Sequence, residues 1–547
     1  MKLCYNNGME NAVLYAELIA ENDALRTDFA ALSAKYSALE ANYAEANGKL
    51  SWLLEQLSGN NRKLYGQSSE KGVYDQIGFF EDKTGGPFAL GSVAPESVVS
   101  GVPTKGKPVK RGEMGSRLPE GLPVETIEIE LPEDRRECPE GHGPLRVIGK
   151  EVVRREVKIT PASVTIVEYV RYSYDCPPCE EASDEPTNII KPELPPQVIK
   201  GSMCAPETVA HIAVEKCVMG VPIYRQEAQW KRDGIPFIRQ TMGNWMVKCS
   251  EDYLAPIYDR LHWQLCQHKI LHSDSTTLQV LREPGKTPQS ESQMWLYRTS
   301  CDTAHPIILY DYQPDKTQER PRVFLTGFKG YLNTDGSSSY NGLPDDIILV
   351  GCISHARRGF SDALRAIKNE EERAGSLALI GRQYCDDIFK IEREMEGRSF
   401  DERFMIRNEK AKPILSEFRT WLDSVQPYVA PKTKIGGAIN YTLNQWDRLV
   451  RYLLDGRIEC SNNRAERSIK PFVISRKNFL FATSVAGARA TAIFHSFTET
   501  AIESGLDPFR YLTHIFKTAA GVNLWENEDM VISLLPENAP DNCKAIK

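Results

Sequence analysis

Between residues 10 and 58 the apolar positions fall on a seven-residue repeat. Leu18, Leu25, Leu32, Leu39, Ala46 and Leu53 form one row, and Asn22, Phe29, Tyr36, Tyr43, Leu50 and Leu57 form its partner. A seam of this kind predicts a coiled-coil (leucine zipper) oligomerisation helix, with Asn22 at a core position as a device for fixing register. The competing reading is a long amphipathic helix packed on its own domain. Residues 59–125 lose the repeat and become rich in Gly and Pro, with the basic run "TKGKPVKRGEMGSR". They read as a flexible basic linker, one that also suits phosphate contact.

The pattern then switches to the period of two. Residues 126–200 contain "RREVKIT" and "SVTIVEYVRYSYDC", the β-branched alternation of a small β module. Residues 201–265 switch to helical spacing. The pair of helices around Gly234 has the layout of a helix-turn-helix, with Arg239, Gln240, Thr241 and Asn244 opening its second helix. Residues 266–370 predict the order β-β-β-α-β-α-β-α, in which Asp274 sits inside the first strand and Asp335 ends the fourth. A charged helical stretch, 371–455, interrupts this unit. It resumes over 456–520 with the helix of "SNNRAERSIKPFVISRK", and a charged tail, 521–547, follows. The fold class expected is multidomain α+β.

Composition narrows the setting. The chain has 547 residues, 41% of them apolar, a formal charge of -7 and thirteen cysteines. It contains no apolar run long enough for a bilayer and no secretory leader, so a cytoplasmic protein with reduced thiols is expected. An acidic total does not advertise nucleic-acid binding, but local basic patches in a modular chain can supply it.

Two constellations carry chemistry. Cys138 and His142 (C-x3-H) with Cys176 and Cys179 (C-x2-C) have the short-spaced pairing that holds a structural zinc, although His142 also reads as a surface histidine. An acid inside a β-branched strand asks for a partner or a metal. Asp274 and Asp335 on neighbouring strands, joined by a third carboxylate from a helix, would make an oxygen-rich site for Mg2+ or Mn2+. Glu466, the lone acid among Arg464, Arg467, Lys470, Arg476 and Lys477, is the candidate third. Taken alone it fits equally a helix cap, with Asn463 as N-cap and Glu466 three residues on, or a pair with Arg467.

In order, "KLYGQSSEK", the Cys/His module, "PIYRQEAQWKRDGI", "HSDSTTLQVL", "GYLNTDGSSSYN", "GCISHARRGF", "NNRAERSIKPFVISRKNFLFATSVAGA" and "TAIESGLDPFRYL" resemble transposases of the insertion sequence 66 family. The resemblance implies a DDE enzyme with a ribonuclease-H-like α/β core. In it, Asp274, Asp335 and Glu466 are the catalytic acids and hold two Mg2+ or Mn2+ ions. It also implies that His355, Arg357 and Arg358 of the H-A-R-R run contact DNA phosphates or support the site, and the arginines could equally pair with the acids. Further contacts are expected from Asn462, Asn463, Arg467, Lys470, Arg476 and Lys477, and from Arg239, Gln240 and Asn244. Such an enzyme binds the terminal inverted repeats of its element, frees a 3′ hydroxyl and joins it to target DNA. Its expected partners are double-stranded DNA, a second copy through the zipper, and accessory proteins of the same element, with no membrane. The chain departs from the family pattern at Ser275, Ser461 and in the first zinc pair, where Gly141 fills a Cys place. A different reading is a DNA-end-binding protein with a decayed core.

Overall fold

The computed structural model describes residues 26–28, 30–37, 164, 167–169 and 193–546. Residues 26–28 and 30–37 are helical and exposed, with Leu32 67% and Tyr36 64% accessible on this single chain. The rest of the heptad seam, the 59–125 linker, nearly all of the 126–200 module, and Cys138, His142, Cys176 and Cys179 lie outside the described residues.

Six strands form one mixed sheet: β1 (Ile270–Arg282), β2 (Glu291–Thr299), β3 (Ile308–Gln313), β4 (Gly330–Asn333), β5 (Ile347–Val350) and β6 (Phe481–Ser484). The order is β3-β2-β1-β4-β5, with β6 also paired to β1. β1, β2 and β3 form an antiparallel meander, whereas β4, β5 and β6 join in parallel. Parallel pairing requires a crossover. The short helix Glu319–Phe324 and the loop after it supply the one that returns the chain to β4. Gly330 makes the return possible. A Cβ there would lie 2.2 Å from the Lys269 carbonyl oxygen, so only glycine lets β4 start flush against β1.

Among the described residues, the α-helices of ten or more residues are α1 (Pro206–Cys217), α2 (Ile223–Arg232), α3 (Arg239–Cys249), α4 (Ala255–Gln267), α5 (Ile353–Ala366), α6 (Leu377–Glu394), α7 (Lys412–Val425), α8 (Lys434–Asn444), α9 (Asn463–Phe479), α10 (Val485–Glu503) and α11 (Pro508–Ala519). Alternation along the strands divides the core. Leu271, Trp295, Tyr297 and Leu309 pack into a cluster with α1, α3, α4 and α11. Their neighbours Leu278, Met294, Leu296 and Tyr310 face Ala465, Ile469 and Phe472 of α9. A third cluster joins Ile270 and Val350 to α5, α6, α7 and α8, so the helices after residue 370 pack on the flank of the sheet through α5. With both faces covered, β2 is buried over all but its first residue, as expected for a central strand.

What reads as a charged tail is anchored. Leu524, Val531, Leu534, Leu535 and Cys543 join the first core, and the Ala545 amide donates to the Gly505 carbonyl at 3.0 Å.

Candidate active site

β1 and β4 pair with a constant offset of 61, Ile270 with Tyr331 and His272 with Asn333. Continuing that offset by two residues sets Asp335 level with Asp274. The Ser275 amide donates to Asp274 Oδ1 at 2.7 Å, and the Ser337 amide donates to Asp335 Oδ1 at 2.9 Å, so local backbone orients both carboxylates. Gly336, at φ +86°, turns the chain directly after Asp335, and Tyr441 Oη donates to the Asp335 carbonyl at 3.0 Å. Glu466 lies in the first turn of α9, between Ala465 in the core and exposed Arg467. Burial, reinforced by the charges of Asp335 and Glu466, pushes the Asp274 carboxyl up to about 7. The charges of the other two acids are felt at Asp274 and are offset only in part by Lys316. A donor set made only of carboxylate oxygens fits a hard divalent cation, which would relieve that repulsion.

Glu466 also faces cationic and thiol groups. Its Oε2 lies 3.4 Å from Arg358 Nη2, its Oε1 lies 3.6 Å from His355 Nδ1, and Arg358 Nη1 lies 3.3 Å from His355 Nε2. Among the described residues, Cys352, His355 and Glu466 are the set of three whose ligand atoms all lie within 4.8 Å of one another. The Arg358 charge opposes a cation bound there, and burial pushes the Cys352 thiol up to about 11, so it is a neutral, inert thiol. The three carboxylates do not form such a set. A two-ion site divides its acids between the ions and does not require all three to touch.

Residues 201–490 match the family described as "Transposase IS66 family", and residues 135–180 match "zinc-finger binding domain of transposase IS66". The first match alone spans more than half of the 547 residues. The chain belongs to the IS66 transposase family. Similar proteins include two from Sinorhizobium fredii. "Uncharacterized protein y4jD" is 29% identical over 433 residues, covering 77% of this chain and 81% of the relative. "Uncharacterized protein y4hP" is 27% identical over 438 residues, covering 76% and 75%. In this transposase the zinc-finger match contains Cys138, His142, Cys176 and Cys179, which supports a structural Zn2+. The larger match contains Asp274, Asp335 and Glu466.

The basic residues of the transposase divide into two groups. Arg467 and Lys477 are exposed along α9, with Lys470 and Asn463 partly so, and Arg239, Gln240 and Asn244 are exposed on α3 opposite buried Met242, Trp245 and Met246. Exposure does not mean isolation, since the Arg239 guanidinium lies 4.0 Å from Glu227, and others are paired more tightly within the protein. Arg357 pairs with Asp386 of α6, and Arg476 Nη1 donates to Thr276 Oγ1 at 3.1 Å and Thr277 Oγ1 at 2.9 Å, bracing α9 on β1. Asn462, expected at the DNA, is fully buried. The capping box is also corrected. Asn462, not Asn463, is the N-cap, and no side chain caps this helix. The Glu466 amide donates to the Asn462 carbonyl at 3.1 Å, an ordinary helical bond, which leaves the Glu466 carboxylate to the site.

Behind the acids lies a buried charge cluster that sequence reasoning missed. Glu459 takes a two-pronged contact from Arg464 (3.0 and 2.8 Å) and lies 3.2 Å from His272 Nε2. Burial pushes Glu459 up, but His272 and Arg464 hold it well below the usual carboxylate range. His272 lies between the Glu459 carboxylate and Ser300 Oγ at Nε2 and the Asn462 side-chain oxygen, 3.2 Å from Nδ1, and burial holds its proton affinity below that of a free imidazole. The only sequence sign was "HSDS", an unusually polar run for a central strand.

Proposed function

We propose that this IS66-family transposase is a DDE enzyme that cleaves DNA at the ends of its element and transfers the freed 3′ end to target DNA. The observation that carries the reading is that Asp274 on β1 and Asp335, two residues past the parallel strand β4 beside it, fall at one level when the pairing is continued, with the charges of Asp335 and Glu466 felt at Asp274. Three antiparallel strands followed by two parallel ones, with acids on the first and just after the fourth, support a ribonuclease-H-like core over 266–370 and 456–520. The helices of 371–455 are the insertion within it.

Asp274, Asp335 and Glu466 would hold two Mg2+ or Mn2+ ions. When bound, such ions supply the electrostatic stabilisation of the attacking and leaving oxygens that an in-line displacement at phosphorus needs. The chain's own residues do the rest. Backbone amides of Ser275 and Ser337 fix the two aspartates in line, and His355 and Arg358 hold Glu466 at the mouth of the site. Arg467, Lys470 and Lys477 recur along α9 from Glu466 outward and would bind successive phosphates, setting the scissile bond against the acids. The zinc module and the α2–α3 pair would recognise the terminal repeats, and the 10–58 zipper would pair two protomers on two ends.

The test is a cleavage assay on linear DNA carrying the element's ends. Nicking at the 3′ ends and strand transfer are expected with Mg2+ or Mn2+, and neither with chelator. End binding without nicking under any divalent ion would leave the decayed end-binding protein as the function.

A further inference from the structure

We propose that Asn462 is a positioning residue that fixes the spacing between the Asp274 strand and the Glu466 helix, and with it the affinity of the site for divalent cations. The inference rests on the reading of these acids as metal ligands.

Four contacts converge on this one fully buried residue. Its Nδ2 donates to the Ser273 carbonyl at 2.8 Å, the peptide that leads into Asp274. Its Oδ1 lies 3.2 Å from His272 Nδ1 on the same strand. Its backbone amide donates to Cys352 Sγ at 3.1 Å, at the start of the helix that carries His355 and Arg358. Its carbonyl accepts the Glu466 amide at 3.1 Å. The segment holding Cys352 is tied in turn to Asp335, because the Thr334 amide donates to the Val350 carbonyl at 3.0 Å. Asn462 therefore meets the Asp274 and Glu466 segments directly and reaches the Asp335 segment only through its contact with Cys352.

An Asn at an N-cap ordinarily turns its side chain onto the free amides of the first helical turn, a contact worth about 1 kcal/mol. Asn462 forgoes it. Its side-chain amide instead donates to the Ser273 carbonyl and sets its oxygen beside His272 Nδ1, both on β1. Only a primary amide supplies both from one short stem. Aspartate keeps the shape but loses the donor, and it sets an oxygen against the Ser273 carbonyl. Local helix stability is thus given up for a cross-link between elements. Such supports around metal ligands typically change affinity by roughly 10–100-fold when removed.

The experiment uses the full zinc-loaded chain and reads free Mn2+ by electron paramagnetic resonance, alongside end-DNA affinity and thermal unfolding. Asn462→Asp is expected to bind Mn2+ roughly 10–100-fold more weakly, with unchanged end-DNA affinity and a cleavage rate partly restored by excess Mn2+. If that variant does not fold, Asn462→Ser takes the same measurements. Wild-type Mn2+ affinity in a folded variant would overturn the inference. Wild-type protein that binds no more Mn2+ than Asp274→Asn would instead sink the metal reading, and this inference with it.

Discussion

Asp335 falls level with Asp274 when the parallel β1–β4 pairing is continued two residues past Asn333, and its negative charge is one of the causes that raise the Asp274 carboxyl to about 7. A cation held by the acids would relieve the repulsion felt at Asp274, so each acid is expected to be indispensable once one is bound. Asp274→Asn, Asp335→Asn and Glu466→Gln should each lower cleavage and strand transfer on the order of 10³-fold, the equivalent of several kcal/mol of transition-state stabilisation. End binding, which depends on other modules, should persist in gel-shift assays. Strand transfer within tenfold of wild type in any one variant removes that residue from the site.

The raised Asp274 proton affinity has a stability consequence with a definite sign. Its folded value of about 7 exceeds the unfolded value of about 3.9. Between these values the unfolded chain has released the proton and the native one still holds it. The stability present below pH 4 is therefore lost as pH rises toward 7 and stays lost above. Asp274→Asn removes the repulsion, so without added divalent ion it should unfold at a temperature a few degrees higher than wild type at pH 8, about 1–2 kcal/mol. At pH 4 the two should coincide. Mg2+ should stabilise the wild type and not the variant. Superimposable melting curves at pH 8 would show that Asp274 is not under strain from its neighbours.

The acids were legible because each breaks a local pattern. Asp274 interrupts a β-branched strand, Asp335 follows the end of one, and Glu466 is a lone acid in a basic helix start. The supports behind them were not. His272 meets Asn462 across 190 residues and Arg298 meets Glu503 across 205, and no periodicity links such positions. The burial of Asn462 was equally hidden, since "SNNR" has the polarity of an exposed loop. The α2–α3 pair was visible because Gly234, at φ +77°, punctuates two strongly patterned helices. The anchoring of the last residues was masked by their charge, which lies between the few apolar side chains that reach the core.

The division of basic residues into exposed and internally engaged groups is measurable through salt. A side chain that neutralises a phosphate contributes close to one unit to the slope of log affinity against log salt. Arg467→Gln and Lys477→Gln should each reduce the slope for end DNA by about one and weaken binding across sequences. Arg357→Gln, whose guanidinium is paired with Asp386, should leave the slope unchanged. Equal slopes for all three variants would remove the α9 face from the DNA path.

The zinc-finger match makes metal content a direct check. One tightly held zinc per chain is expected by atomic emission, and Cys176→Ser or Cys179→Ser should abolish it. A module this small depends on its ion for folding, so both variants should lose protease resistance in the 126–200 region. Zinc retained in both would move the ligand set elsewhere.

Leu32 and Tyr36 bear on the oligomer. Both occupy the heptad seam, and both are exposed on helical backbone in the single chain. Burying a leucine is worth roughly 1.5–3 kcal/mol, and a paired zipper buries one from each protomer at every such level. A charge at one level forfeits that gain twice and adds like-charge repulsion between the two copies. Leu32→Lys is therefore expected to convert a dimer into a monomer at micromolar concentration, measured by light scattering after size exclusion. Binding to a single end should survive, while synapsis of two ends in one complex should be lost. An unchanged mass for the variant would mean that the seam packs within its own chain, leaving protomer pairing to another surface.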